Sequence, residues 1–328
     1  MTRNQLSTVL LISSCLVIPT SFADSDTPLF SVSMTESGVP KNNAEGGVTR
    51  SSSTESRVLP IWGDEARAQG YDIPEPFGVS YGYMNLRQDV VVDKIGFSSN
   101  SGLDLGKILT IETGHTRSKN QSHMLKLDTW VFPFMNVYGV YGKTKGSSTT
   151  NLTNVEAKLG PFKLPIGKNL PFELDYEGKS YGGGVTFAGG YNQFFSTLDM
   201  NYTRTSLDIL DGDITAFVVT PRIGYEFIFE PLIAGQGNTK IQVWTGAMYQ
   251  DITQRFKGDV SKLDLPPELN KWMALAPPDT KFDVEQHLAH KWNNTVGARV
   301  ELTRNFNVLT EIGFNNRNSF FISGEFRF

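Results

Sequence analysis

The chain has 328 residues, with Lys+Arg 30 against Asp+Glu 34, a formal net charge of -4, 12% aromatic residues and one cysteine. A balance this even provides no basic field for nucleic acid, and the single cysteine, Cys15, excludes a disulfide framework or a thiolate metal cluster. No window beyond the N-terminal segment approaches the roughly 20 apolar residues of a spanning helix.

In chain order, the first stretch carries Arg3, an apolar run from about Leu6 to Ile18, and the small-x-small ending Ser21-Phe22-Ala23. That layout predicts a secretory signal peptide over residues 1–23, cut after Ala23. A competing reading takes Ile12-Ser13-Ser14-Cys15 as resembling a lipoprotein box with a lipid on Cys15; the apolar residues that follow Cys15 weigh against it. Residues 24–58, rich in Ser, Thr, Gly and Asn, predict a disordered N-terminal extension. In 59–76, Asp64 and Glu65 suit the first turn of a short helix running to about Gln69 and stopped at Gly70, and Pro74 and Pro76 hold the chain extended after it.

From Phe77 the chain reads as strands. "WNNTVGARVELT" puts Trp292, Val296, Ala298, Val300 and Leu302 on one face and Asn293, Thr295, Arg299 and Glu301 on the other. "FNVLTEIGFN" sets Phe306, Val308, Ile312 and Phe314 against Asn307 and Glu311, and only a tight turn separates the two. Similar alternation marks "DITAFVVTPRIGYEF" and "KIQVWTGAMYQ". Further pairs join at about Asn192-Gln193 and at Phe132-Pro133-Phe134, where the proline belongs in a turn. With "FGVSYGYMNL" and the last segment the total is about ten strands, with eight and twelve as neighbouring even counts. The connections at 98–119, 146–179 and 253–288 are long, all at one end of an up-and-down meander, and those at the other end are mostly short. In the last of the long ones, "LPPELNKWMALAPP" predicts a short helix with Leu269, Trp272 and Met273 on one face, set on a membrane interface, a partner or the protein's own loops.

The alternating strands fit a soluble β-sandwich or a barrel in lipid. Strand lengths near ten residues and aromatics near strand ends favour the barrel. The final strand alternates Phe320, Ile322, Phe326 and Phe328 with polar residues and ends on phenylalanine. This strand resembles the assembly signal of Gram-negative outer-membrane β-barrel proteins. The resemblance implies an all-β, transmembrane up-and-down antiparallel barrel over 77–328, export to the outer membrane, contact with outer-membrane lipids and delivery by the barrel-assembly machinery. It implies no particular activity. Residues 59–76 would then be periplasmic, as a cap or as a plug.

On this register the lumen receives Lys126, Asp128, Asp199, Arg222, Glu226, Lys240, Arg299, Glu301, Glu311, Glu325 and Arg327. A one-residue slip would turn several of these toward lipid, where Arg costs roughly 2–4 kcal/mol at the midplane. About ten strands make a narrow interior, so a general porin is excluded. The expected function is a narrow selective channel or transporter of small solutes; the alternative is a non-catalytic surface or envelope protein, an adhesin meeting a surface receptor or a structural barrel. No enzyme, cofactor or metal site is expected. His115 with Ser118, His123, and the "HLAH" pair His287 and His290 match no catalytic or metal-binding pattern that the strand period supports.

Overall fold

The computed structural model describes residues 58–68, 73–99, 108–208, 212–230, 232–233, 238–263, 265–274 and 277–328. The predicted signal peptide and nearly all of the predicted disordered extension therefore lie outside the described residues. Among those described, eleven strands form one antiparallel sheet: β1 (Phe77–Ser98), β2 (Leu109–Phe132), β3 (Met135–Leu159), β4 (Phe162–Tyr191), β5 (Phe194–Leu207), β6 (Asp213–Phe229), β7 (Thr239–Asp259), β8 (Lys281–Leu288), β9 (Trp292–Glu301), β10 (Phe306–Phe314) and β11 (Arg317–Arg327). The sheet closes on itself where β1 pairs with β11, from Gly78 opposite Arg327 to Gln88 opposite Arg317. Closure removes the edges that hydrocarbon could not solvate.

β8 and β9 lie end to end along the same edge of β7, with Thr253 opposite His287 above and Lys240 opposite Glu301 below. The β10–β11 hairpin fills the gap between β9 and the lower part of β1. Above that hairpin β8 pairs directly with β1, from Val90 opposite Leu288 to Ser98 opposite Lys281. The ring is thus ten strands around at its base and loses the hairpin further up. Tight turns at 133–134 and 192–193 and the 302–305 turn gather at the base with Phe328.

The long connections of the sequence reading are largely strand. β3 and β4 run on to a turn at Gly160–Pro161, paired from Met135–Phe187 to Leu159–Phe162 with a register shift between Val155 and Glu156, and the 253–288 segment contains the end of β7, helix α2 (Pro267–Met273) and β8. The reason is a reversal of polarity along each strand. In the lower part of β7, Lys240 and Gln242 point in and Val243 points out; in its upper part Ile252 and Phe256 point in and Asp251, Arg255 and Lys257 point out. β4 repeats this, with Leu174 and Tyr176 inside and Glu173 and Asp175 outside above a lower part whose outward residues are Tyr181, Val185 and Phe187. Lipid covers the lower exterior and water the upper.

The inward apolar residues of the upper part form the molecule's main core, in which Val155, Phe256 and Phe282 meet Leu152 and Leu174. Leu269 and Met273 of α2 are buried in it, so the helix packs on the barrel's own extension. Trp272 packs against the same cluster from its margin. At the other end, helix α1 (Gly63–Ala68) sits beside the β2–β3 turn. The Ile61 N–H donates to the Val131 carbonyl at 2.8 Å, and Trp62 lies 5.0 Å from Phe132.

Two predictions come from this layout. Ile312→Arg, on the lipid-facing side of β10, should lower folding stability in vesicles by about 2–4 kcal/mol, read by urea titration of the gel-shifted folded form. Tyr176, buried in the upper core, has its phenol pushed up in pKa by burial, against hydrogen bonds shared with Ser118, Gln254 and Asn120. Since the folded value is raised, the stabilisation is complete below the unfolded value of about 10 and is lost as pH rises above it. Tyr176→Phe should flatten that alkaline loss in a thermal melt taken from neutral to high pH.

Candidate functional site: the occluded lumen and its lipid belt

Outward residues below the polarity switch are mostly apolar, with Ser196, Thr245, Asn294 and Thr310 as polar exceptions. On β11 and the residue after it they run Phe320, Ile322, Gly324, Phe326 and Phe328, with the four large ones exposed. That run covers about 26 Å of strand, or about 20 Å of membrane normal at a tilt near 40°, close to the ~25 Å band of an outer-membrane barrel. A register row of Tyr81, Leu125, Tyr141 and Tyr181 crosses β1 to β4 at the upper limit of the band. Phe77, Phe194, Phe227 and Phe306 are exposed near the lower limit. Rings at both limits form the aromatic girdles of a bilayer interface. The chain is an outer-membrane type of β-barrel.

All the charged residues predicted for the lumen point inward, and most of them are tied across it. At the base, Arg327 donates to Asp128 at 2.8 Å and to Glu325 at 2.7 Å, and Glu325 also accepts from Arg299 at 3.3 Å. Asn136 donates to Asp128 at 2.6 Å, Lys126 stands 4.0 Å from the same carboxylate, and the Arg327 Nε donates to the Glu75 carbonyl at 3.0 Å. Gly78 makes this cluster fit: a Cβ there would fall 2.4 Å from Asp128 and 2.6 Å from Arg327. Beside it Gln242 donates to Glu226 at 2.7 Å, and Lys240 faces Glu301 across β7 and β9.

At mid-height Arg222 grips Glu311 with two hydrogen bonds of 2.6 and 3.0 Å, and the Trp244 indole N–H donates to the same carboxylate at 2.8 Å. This pair bridges β6 to β10, with β7 and β9 between them. On the adjoining wall Tyr138 donates to Asp199 at 2.8 Å, joined by Thr186 at 2.7 Å and Asn201 at 2.9 Å. Gly184 is required here, since a Cβ would lie 2.5 Å from the Tyr138 hydroxyl. Higher still, Gln254 bonds Gln286, Arg317 bonds Gln250, and Ser118 and Asn120 bond Tyr176. The apolar core begins directly above.

Sequence reasoning missed Tyr138, Trp244, Asn136 and Arg317. Period two puts Trp244 and Tyr138 on the lumen face, but only the charged side chains of that face stand out in the sequence as lumen candidates. Arg317 escaped because it starts β11 directly after the turn. The four terminal-strand residues Phe320, Ile322, Phe326 and Phe328 face lipid.

The histidines do not assemble. His115 points outward to Asp89 at 3.2 Å while Ser118 is buried inside against Tyr176, so the two lie on opposite faces of β2. His287 pairs with Asp93 at 2.7 Å, and His123 with the Tyr81 hydroxyl at 2.8 Å. Among the described residues no group of three His, Cys, Asp or Glu is placed to hold a metal.

No family model matches the chain, and no curated protein matches it in sequence. Among solved structures it is similar to the transport unit of the autotransporter AIDA-I from Escherichia coli, at 10% identity and a TM-score of 0.34 over 77% of this chain and 90% of that one. It is also similar to the Ralstonia pickettii toluene transporter TbuX, at 8% identity and a TM-score of 0.30 over 78% and 90%. A third is OmpT of Vibrio cholerae with loop L8 deleted, at 9% identity and a TM-score of 0.22 over 76% and 99%.

Removing one partner of a buried pair strands the other charge. Glu311→Gln should therefore cost about 3–5 kcal/mol, whereas Arg222→Met combined with Glu311→Leu should come close to neutral. Urea titrations of the two variants in vesicles check the contrast.

Proposed function

We propose that the protein works as a closed barrel that carries a rigid β extension at the cell surface, a non-catalytic surface or envelope protein. The observation that supports this most directly is the interior. The Arg222–Glu311 clamp lies at mid-height, the Arg327–Asp128–Glu325–Arg299 cluster lies at the base, and an apolar core fills the extension above both. A hydrated solute would have to break bonds to charged groups and then cross a dry, packed layer. The exterior of the extension, by contrast, is a water-facing surface of paired charges such as Lys94–Asp283 and Arg255–Glu285, suited to contact with other surface molecules.

A narrow selective passage is the second reading, and the lumen wall favours it to the extent that both signs of charge line it from base to ceiling. Planar-bilayer recording of the refolded barrel separates the two. The closed barrel should be silent, and deleting residues 24–70 should leave it silent. Resolved unitary steps that change with Glu311→Gln would overturn the closed reading in favour of a passage, and steps seen only after the deletion would make the N-terminal segment a plug.

A further inference from the structure

On the outer surface of the barrel, at the level of the upper tyrosine row, lies a groove of about 510 Å³ lined by Tyr81, Leu125, Tyr141, His123, Lys143 and Lys145. All six side chains face outward, so the groove opens to the membrane interface and not to the lumen. Its lower wall is aromatic and aliphatic; its upper wall is cationic.

The cations are arranged unusually for a sheet surface. Lys143 of β3 lies directly opposite Lys179 of β4, and Arg87 of β1 lies directly opposite Lys119 of β2. All four are exposed on the outer face. Like charges facing one another across a ladder destabilise it, and a sheet normally answers them with a neighbouring carboxylate. Of the carboxylates on this face, Glu177 holds Lys145 at 2.9 Å, Asp89 takes Arg117 at 3.3 Å and Glu173 accepts from Thr149 at 3.5 Å, and Asp175 stands four residues along β4 from Lys179. Among the described residues, Lys143, Lys179, Arg87 and Lys119 have no ion pair. The two couples flank the groove, four residues apart along the strand direction, or about 13 Å.

Position and charge together point to an occupant. We propose that this groove seats a phosphorylated glycolipid of the outer leaflet, its acyl chains against Leu125 and the apolar band, its sugars beside Tyr81 and Tyr141, and a phosphate monoester between Lys143 and Lys179. A monoester carries about -1.5 to -2 charges near neutrality, which matches a couple of lysines better than the single charge of a phosphodiester headgroup. The Arg87–Lys119 couple offers a second such position. Tyrosine side chains at this depth hold an apolar ring in lipid and a hydroxyl in the headgroups, which fits the same ligand.

The test uses the refolded full-length mature protein in neutral detergent. It is titrated with a diphosphorylated acyl-disaccharide lipid, with the same lipid after removal of its phosphates, and with a zwitterionic phospholipid, followed by native mass spectrometry and thermal melts. The phosphorylated glycolipid should bind about tenfold or more tightly than either control, and Lys143→Ala with Lys179→Ala should remove that preference. Lys257→Ala, whose side chain pairs with Asp283 on another face, should leave it intact. The melts should reverse sign: without lipid the double variant melts higher than the parent because repulsion is relieved, and with phosphorylated lipid it melts lower. If the alanine variant does not refold, Lys143→Gln with Lys179→Gln serves. Equal binding of all three lipids, unchanged binding by the double variant, or complete displacement by inorganic phosphate would each overturn the proposal. Conductance is not among the readouts, so its outcome is separate from that of the closed-barrel reading.

Discussion

Everything in this molecule depends on a single constraint: a polypeptide backbone in hydrocarbon must satisfy its own hydrogen bonds. The β1–β11 pairing meets it by closing the sheet, and closure fixes one inside and one outside for every residue below the interface. From that point the chemistry of each strand face is dictated by what touches it. Lipid requires Val296, Ile312 and Phe320 outside, and the enclosed space collects Arg222, Glu226 and Glu311.

Once the strands leave the membrane the same constraint no longer applies, and the polarity of the two faces exchanges. The exchange is abrupt on β4, between Tyr181 and Glu177, and on β7, between Tyr249 and Asp251. Above it the inward faces of the strands condense into a water-excluding core much like that of a soluble domain, with α2 supplying Leu269 and Met273. The barrel is thus two solvation problems solved on one set of strands. A polar interior is stable below because its charges are paired, and an apolar interior is stable above because water surrounds the exterior. The tyrosine row and the cations above it sit at the seam, the one level where apolar, aromatic and charged chemistry are presented together on the outside.

The interior also shows how a narrow barrel is filled without strain. Large polar side chains reach across it only where small residues let them, as Gly184 does for Tyr138 and Gly78 for the Arg327–Asp128 pair. Each such reach ties strands that are not neighbours in the ring, so the wall is braced through its lumen as well as around its circumference. Proline 221, facing out on β6 midway along a membrane-spanning strand, sits where the β6–β7 pairing skips from Val219 to Arg222, which is how a residue without an N–H is tolerated there.

The amino-acid sequence by itself determined the fold class, the approximate strand number, the lumen face and the lipid face, because hydrocarbon imposes a strict period of two that a short apolar strand such as Phe320–Phe328 cannot hide. It also placed α2, whose Leu269 and Met273 spacing is a local property. Only the tertiary structure decided the rest. The upper halves of β1 to β4 and β7 looked like loops because their alternation is reversed and diluted by charge, and the pairing that makes them strands is supplied by distant segments such as β8. The clamp of Arg222 on Glu311 and the like-charged couples around Lys143 and Lys179 were invisible for a similar reason. Which charges meet depends on strand register and ring closure, and neither is written in the spacing of residues along the chain.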